Sequence, residues 1–266
     1  MTEVALRLVP DEDPRMFLPF VVVEVDGVAV EALLDSGASH TQIVERPGLA
    51  TRNAALEPSA GAFGAQAASS RHAVVSCRVG GVDVGIVAAK VVPMDHPGQG
   101  NLVGQDVLGR FRCDYRLADG RLILDGPSWS GTRPVHLDER GHVYVDLGWA
   151  GHEPVASAVL DTGASVTVVD RAFARRHPGL FTPQATSTGT DATGRSVEAP
   201  MATMRGPRIL GEQFADSLVA IVDLHDANST LPRPMDVILG WTTTSQADWF
   251  VDHPRGQAGC ALRAGR

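Results

Sequence analysis

With 266 residues, a formal net charge of −8 and 5% aromatic residues, the chain is long enough for a sizeable core and too acidic to point to nucleic acid as a partner. The charge is too modest to imply a basic substrate, and no apolar run reaches the length of a membrane span. The 28 glycines and 17 prolines, set among many Val and Ala, predict numerous short strands joined by tight turns.

Residues 1–10 alternate like a strand and lack the basic start and apolar core of a signal peptide. The apolar run Val28-Ala29-Val30-Glu31-Ala32-Leu33-Leu34 predicts a strand leading into Asp35-Ser36-Gly37-Ala38-Ser39, and Thr41-Gln42-Ile43-Val44 a second short strand leading out. A Gly-rich stretch at 59–65 reads as a hairpin turn. Leu102-Val103-Gly104 then precedes a polar, helix-compatible stretch at 105–110. Phe111-Arg112-Cys113-Asp114 opens a strand, turn and strand that end at Leu124. Two prolines, two glycines and two serines in 125–134 read as a linker, and Trp129 inside it implies packing and not a free tether.

The same landmarks then recur in the same order. Val155-Ala156-Ser157-Ala158-Val159-Leu160 runs into Asp161-Thr162-Gly163-Ala164-Ser165, followed by Val166-Thr167-Val168-Val169. Residues 172–177 predict a short helix, with Asp170 as cap and Pro178 as stop. A Gly-rich stretch occupies 188–194. Ile238-Leu239-Gly240, a polar stretch at 241–246, Trp249-Phe250-Val251-Asp252 and a strand ending at Leu262 complete the second copy. A lone Asp-Ser/Thr-Gly is an ordinary turn signal. Two copies, each between strands and each followed by an apolar-apolar-Gly triplet, make an internal repeat.

The two Asp-Ser/Thr-Gly-Ala-Ser motifs and the two triplets resemble those of the aspartic proteases. Ala38 and Ala164 at the fourth motif position look more like the retropepsin branch than the pepsin branch, which carries Ser or Thr there. Retropepsins are homodimers with one motif per chain, and this chain resembles two such subunits fused, over roughly residues 15–262. The resemblance implies an all-β, bilobal acid-protease fold: two pseudo-two-fold-related, retropepsin-like β-barrel lobes with few short helices. The N-terminal lobe would span 1–126, the linker 127–134 and the C-terminal lobe 135–266.

It also implies a site. Asp35 and Asp161 would meet and share one proton, because two adjacent carboxylates do not both ionise cheaply; aspartic proteases are the established example. One would act as general base on a water, the other as acid on the scissile carbonyl. Gly37 and Gly163 would allow close backbone approach, and Ser36 and Thr162 would bond across the axis to the opposite loop. Ser39 and Ser165 stand where viral relatives carry an acidic residue. They would either bind substrate backbone or satisfy turn amides. The Gly-rich hairpins would be flaps over the substrate, giving Gly61, Phe63, Gly64, Gly189 and Asp191 as substrate-binding candidates. The only tyrosines, Tyr115 and Tyr144, fit no pepsin-type flap position. Specificity is expected in loops at 66–71, 94–101 and 223–234.

The expected activity is therefore that of a cytoplasmic, monomeric aspartic endopeptidase, active as synthesised, on a peptide or protein substrate. The alternatives are the same dyad turned to acid–base chemistry on a small molecule (isomerisation, cyclisation or hydrolysis) and a binding module without turnover. A closed, small, apolar cleft would favour the small molecule. The intact aspartates count against the binding module. Neither a cofactor nor a metal is expected: the nine histidines show no ligand spacing, and His40 reads as solvent-facing or structural. Cys77, Cys113 and Cys260, an odd count without metal spacing, fit a reducing compartment, Cys113 and Cys260 as buried free thiols. The sequon Asn228-Ser229-Thr230 carries no weight without secretion.

Overall fold

A computed structural model describes the chain apart from residues 12, 62–63, 96–99, 151, 191–195 and 264–266. Among the described residues the molecule is mostly strand, with few and short helices. Its three large sheets are an eight-stranded sheet from the first half of the chain, a ten-stranded sheet from the second, and a six-stranded sheet built from both.

The two halves repeat one wiring. In the first, Val28–Leu34 pairs in parallel with Leu102–Val103, with Leu34 opposite Val103. Gln42–Val44 pairs in parallel with Val82–Val92 and antiparallel with Leu102. In the second, His152–Leu160 pairs in parallel with Val237–Leu239, with Leu160 opposite Leu239. Thr167–Asp170 pairs in parallel with Ser217–Val222 and antiparallel with Val237 and Ile238. In each half the motif loop thus joins two strands that flank a third. The apolar-apolar-Gly triplets supply that third strand, and their residues are buried on both faces, which is why they read as continuous apolar runs.

The incoming strands change character along their length. Val28 is half exposed, whereas Ala32, Leu33 and Leu34 are buried, so the strand dives from surface to core just before the motif. Each triplet glycine lies against the motif loop: a Cβ at Gly240 would stand 2.3 Å from Val166 O, and one at Gly104 2.7 Å from the His40 carbonyl carbon. The predicted polar helices follow directly, as Gln105–Leu108 and Trp241–Thr244.

The six-stranded sheet orders Thr2–Ala5, Arg121–Leu124, Arg112–Arg116, Ala247–Asp252, Gln257–Leu262 and Arg133–Pro134. Its central pairing, Arg112–Arg116 against Ala247–Asp252, joins the two halves by backbone hydrogen bonds. The linker is pinned to this sheet: Arg133–Pro134 pairs with Ala258 and Gln257, and Trp129 stacks on Phe250 with ring centroids 5.7 Å apart. One apolar cluster runs from Val4 through Leu34, Tyr115, Leu160 and Trp249 to Ala258, so the core is continuous across the halves. A second cluster lies within the second half, around Tyr144, Val168 and Ile238.

Local expectations can be placed as well. Arg171–Arg176 is helical, and the Asp170 carboxylate accepts from Ala172 N and Phe173 N as the cap. The segment 66–71, expected as a loop, lies instead in the long strand Gly64–Val79, which pairs with Arg52–Gly61 on one side and Val82–Val92 on the other. Hydrogen bonding to Arg52–Gly61 holds this segment as a strand despite the weak strand propensity of its Ala and Ser residues, and Arg71 also pairs with Val91 on the other side. All three cysteines are free. Cys77 and Cys113 are buried, whereas Cys260 is only half buried and its thiol donates to Ile209 O.

Candidate active site

The backbone brings the two motif aspartates to equivalent places. Asp35 N donates to Val103 O at 3.0 Å, and Asp161 N to Leu239 O at 3.1 Å. Each carboxyl therefore stands where its incoming strand and its triplet strand end together.

The loops cross at their glycines. A Cβ at Gly37 would lie 2.4 Å from Asp161 Cγ, and one at Gly163 would lie 2.5 Å from Asp35 Cγ. Any other side chain would collide with the opposing carboxyl, so these two positions require glycine for approach. The two carboxyls are thereby brought close enough for each to act on the other's titration. Asp35 Oδ1 accepts from Gly37 N at 3.0 Å and Ala38 N at 2.9 Å, and Asp161 Oδ1 accepts from Gly163 N at 2.8 Å.

Beneath the carboxyls the loops are laced together. Ser36 N donates to Thr162 Oγ1 at 3.0 Å, and Thr162 N to Ser36 Oγ at 3.0 Å. The hydroxyls pass the bonding on: Thr162 Oγ1 donates to Leu34 O at 2.6 Å, and Ser36 Oγ to Leu160 O at 2.8 Å. Ser36 and Thr162 are 1% and 3% exposed, so all four bonds are shielded from water and their loss would leave buried polar groups unpaired.

The electrostatics follow from burial. Loss of hydration disfavours charge and raises both carboxyls above the ordinary value, and the charge of Asp161 raises Asp35 further. The amide donors of Gly37 and Ala38 act against this on Asp35, and that of Gly163 on Asp161. The pair titrates as one unit that retains a shared proton above the pH at which an isolated aspartate loses it.

Several supporting residues escaped sequence reasoning. Gln105, 4% exposed, donates from Nε2 to Ser36 O at 2.7 Å and so holds the first motif loop from behind. Asp106 accepts from both Thr41 N and Thr41 Oγ1, at 2.8 and 2.7 Å. In the second half Thr242 Oγ1 accepts from Thr167 N at 3.0 Å, and Thr167 Oγ1 shares a 2.8 Å hydrogen bond with Thr243 Oγ1. Position, immediately after the triplets, was the available signal. Two further segments reach across from the opposite half. Phe17 packs on Trp241 with ring centroids 5.3 Å apart, and Gly141 lies against Gln105, where a Cβ would be 3.0 Å away. Beside Gly141 the buried His142 ring pairs with Asp138 at 2.8 Å. Burial works against the Asp138 charge, but hydrogen bonds and charge from His142 outweigh it and hold its carboxyl below the ordinary value.

The substrate-binding candidates are placed unevenly. Ser165 Oγ donates to the Asp11 carboxylate, whereas Ser39 makes no side-chain hydrogen bond among the described residues. Gly61 pairs with Gly64 at the end of the long first hairpin, and Gly189 pairs with Val197 in the shorter second one. Phe63 and Asp191 lie outside the described residues. His40 is exposed. Among the described residues, no group of three or more His, Cys, Asp or Glu is placed to hold a metal ion, and no helix is long and apolar enough to cross a membrane.

Comparison with known proteins gives one family. No curated protein matches the chain significantly. The sequence model of the family described as aspartyl protease matches residues 21–107, a stretch that carries the Asp35 motif, Leu102-Val103-Gly104 and the start of the following helix. The match agrees with the mostly β architecture, and the chain is similar over this stretch to the aspartyl proteases, with an all-β fold of that kind.

Proposed function

We propose that the chain is an aspartic endopeptidase made of two retropepsin-like halves in one polypeptide, with Asp35 and Asp161 as its catalytic pair. The observation that carries this reading is the crossing of the two loops, which sets the carboxyls in contact over a buried four-bond lattice. The family match over the first half supports it.

In this reading the pair works with one proton. The ionised carboxyl takes a proton from a water lying between the two, and the protonated carboxyl gives its proton to the scissile carbonyl oxygen. The water oxygen bonds to the carbonyl carbon and a neutral diol forms. The carboxyl now protonated gives its proton to the nitrogen while the other takes one from a diol hydroxyl; the C–N bond breaks, leaving a carboxylic acid and an amine, and the pair is again singly protonated. The backbone amides of Gly37, Ala38 and Gly163 fix the carboxyl planes. Lobes at 1–126 and 135–266 joined by 127–134, and a monomeric active unit, belong to the same proposal.

A peptide library digested in ¹⁸O-labelled water tests it. Direct water attack predicts one heavy oxygen in each new carboxyl terminus and no burst of the amine product. A burst that implies a covalent intermediate, or modified small molecules without peptide cleavage, would contradict the proposal.

A further inference from the structure

The two motif loops are braced by different segments, and the difference lies in charge. On the second-half loop the brace is the turn that follows Arg7–Pro10. Its Asp11 carboxylate accepts from Ser165 Oγ, and Ser165 stands four residues beyond Asp161 on the same loop. The same turn reaches the second Gly-rich hairpin, because Asp13, Pro14 and Arg15 line a surface hollow together with Ser187 at the base of that hairpin. It therefore spans from the catalytic loop to the hairpin on one side of the dyad.

The charges along this span do not cancel. Asp13 is taken up by Arg15, which hydrogen-bonds to both of its oxygens and holds it down to about 2. Asp11 is exposed and has no ion-pair partner among the described residues. Its bond to Ser165 fixes the carboxylate's position without neutralising it. On the first-half loop the corresponding brace is the turn at 138–142. There the carboxylate points inward: Asp138 is buried and spends its oxygens on His142 and on the amides of Arg140 and His142. The exposed neighbours Glu139 and Arg140 carry opposite charges, and the carboxylate close to Ser39, that of Asp106, is spent on Thr41 N and Thr41 Oγ1.

We infer that Asp11, held by Ser165, is a specificity-determining anion at the second-half end of the substrate cleft, and that it selects peptides with a cationic group at that end: a Lys or Arg side chain, or a free amino terminus. The inference rests on the endopeptidase reading and adds direction to it. A pseudo-symmetric dyad has no preferred substrate polarity, and a single fixed carboxylate at one end supplies one. Water and salt screen an exposed carboxylate, so the expected selection is moderate and declines as ionic strength rises.

The test uses the full-length protein and matched peptides with Lys or Met at each position flanking the cleaved bond. The wild type should prefer Lys at one position on one side of the bond only, by about tenfold in kcat/KM. Asp11→Asn should collapse that ratio, Asp11→Lys should invert it, and Asp11→Glu should keep it. A ratio unchanged within twofold by Asp11→Asn would overturn the inference, as would a wild type without a preference for Lys. Peptide binding to Asp161→Asn protein, measured by calorimetry, separates the two readings. Asp11-dependent binding of Lys peptides to a protein whose wild type cleaves none of them would sink the endopeptidase reading and sustain this one. Dyad-dependent cleavage indifferent to Asp11 would do the reverse.

Discussion

At the scale of single residues, burying the Asp35 and Asp161 carboxyls costs stability wherever they would ionise. Burial raises the folded-state values of Asp35 and Asp161 above the 3.8 of a free aspartate, so the folded protein holds more protons than the unfolded chain across that interval. Stability therefore falls as pH rises from 3.8 toward the folded-state values, by up to about 1.4 kcal/mol for each pH unit of that interval and each proton held. Asp35→Asn removes the charge at similar shape. The variant should melt at a higher temperature than wild type at neutral pH, and the gain should vanish at or below about pH 3.8 in a thermal scan series. A gain independent of pH would mean that folding does not raise the Asp35 carboxyl above its ordinary value. A second residue-scale prediction concerns Ala38 and Ala164. Neither has a hydroxyl to offer an outer carboxylate oxygen, so the charged pair is less stabilised than with Ser, and activity should peak in mildly acidic to near-neutral conditions. Ala38→Ser with Ala164→Ser adds donors to the charged form, and the acidic limb of the pH–rate profile should move down. A strongly acidic wild-type optimum, or an unmoved profile in the double variant, would refute this.

Among the structural elements, the two motif loops act as one unit. Thr162 Oγ1 accepts from Ser36 N and donates to Leu34 O, so Thr162→Val should break two buried bonds between the halves and cost about 2–4 kcal/mol. A domain of this size loses about 2–4 °C of melting temperature per kcal/mol, which calorimetry resolves easily. Thr162→Ser keeps the hydroxyl and should cost far less; equal losses for Val and Ser would count against the hydrogen bonds as the cause. The motif strands, the triplets, the helices after them and the Asp170-capped helix are legible in sequence, because local patterning and local hydrogen bonding determine them. The contacts that brace the site are not. Gln105 with Ser36, Asp11 with Ser165 and Gly141 with Gln105 join residues far apart in the chain, and each residue alone reads as an ordinary polar or turn residue. The segment 66–71 shows the converse: its small polar residues suggest a loop, yet pairing with Arg52–Gly61 makes it a strand.

For the whole molecule, the halves are joined within one chain by a continuous core and by the antiparallel pairing of Arg112–Arg116 with Ala247–Asp252. Both halves of the site are thus supplied without a second copy. Specific activity should stay constant on dilution through the nanomolar range, and sedimentation should give a monomer of 28.1 kDa. An obligate dimer whose activity fails on dilution would contradict the single-chain account. The central claim is that Asp35 and Asp161 form one catalytic unit, and the most direct test is kcat for Asp35→Asn and Asp161→Asn on a cleaved peptide, with folding checked by circular dichroism. Either variant alone should lose turnover by about a thousandfold or more while keeping the wild-type spectrum, since a neutral amide neither gives nor takes the shared proton. Turnover within about tenfold of wild type in either variant would contradict the account.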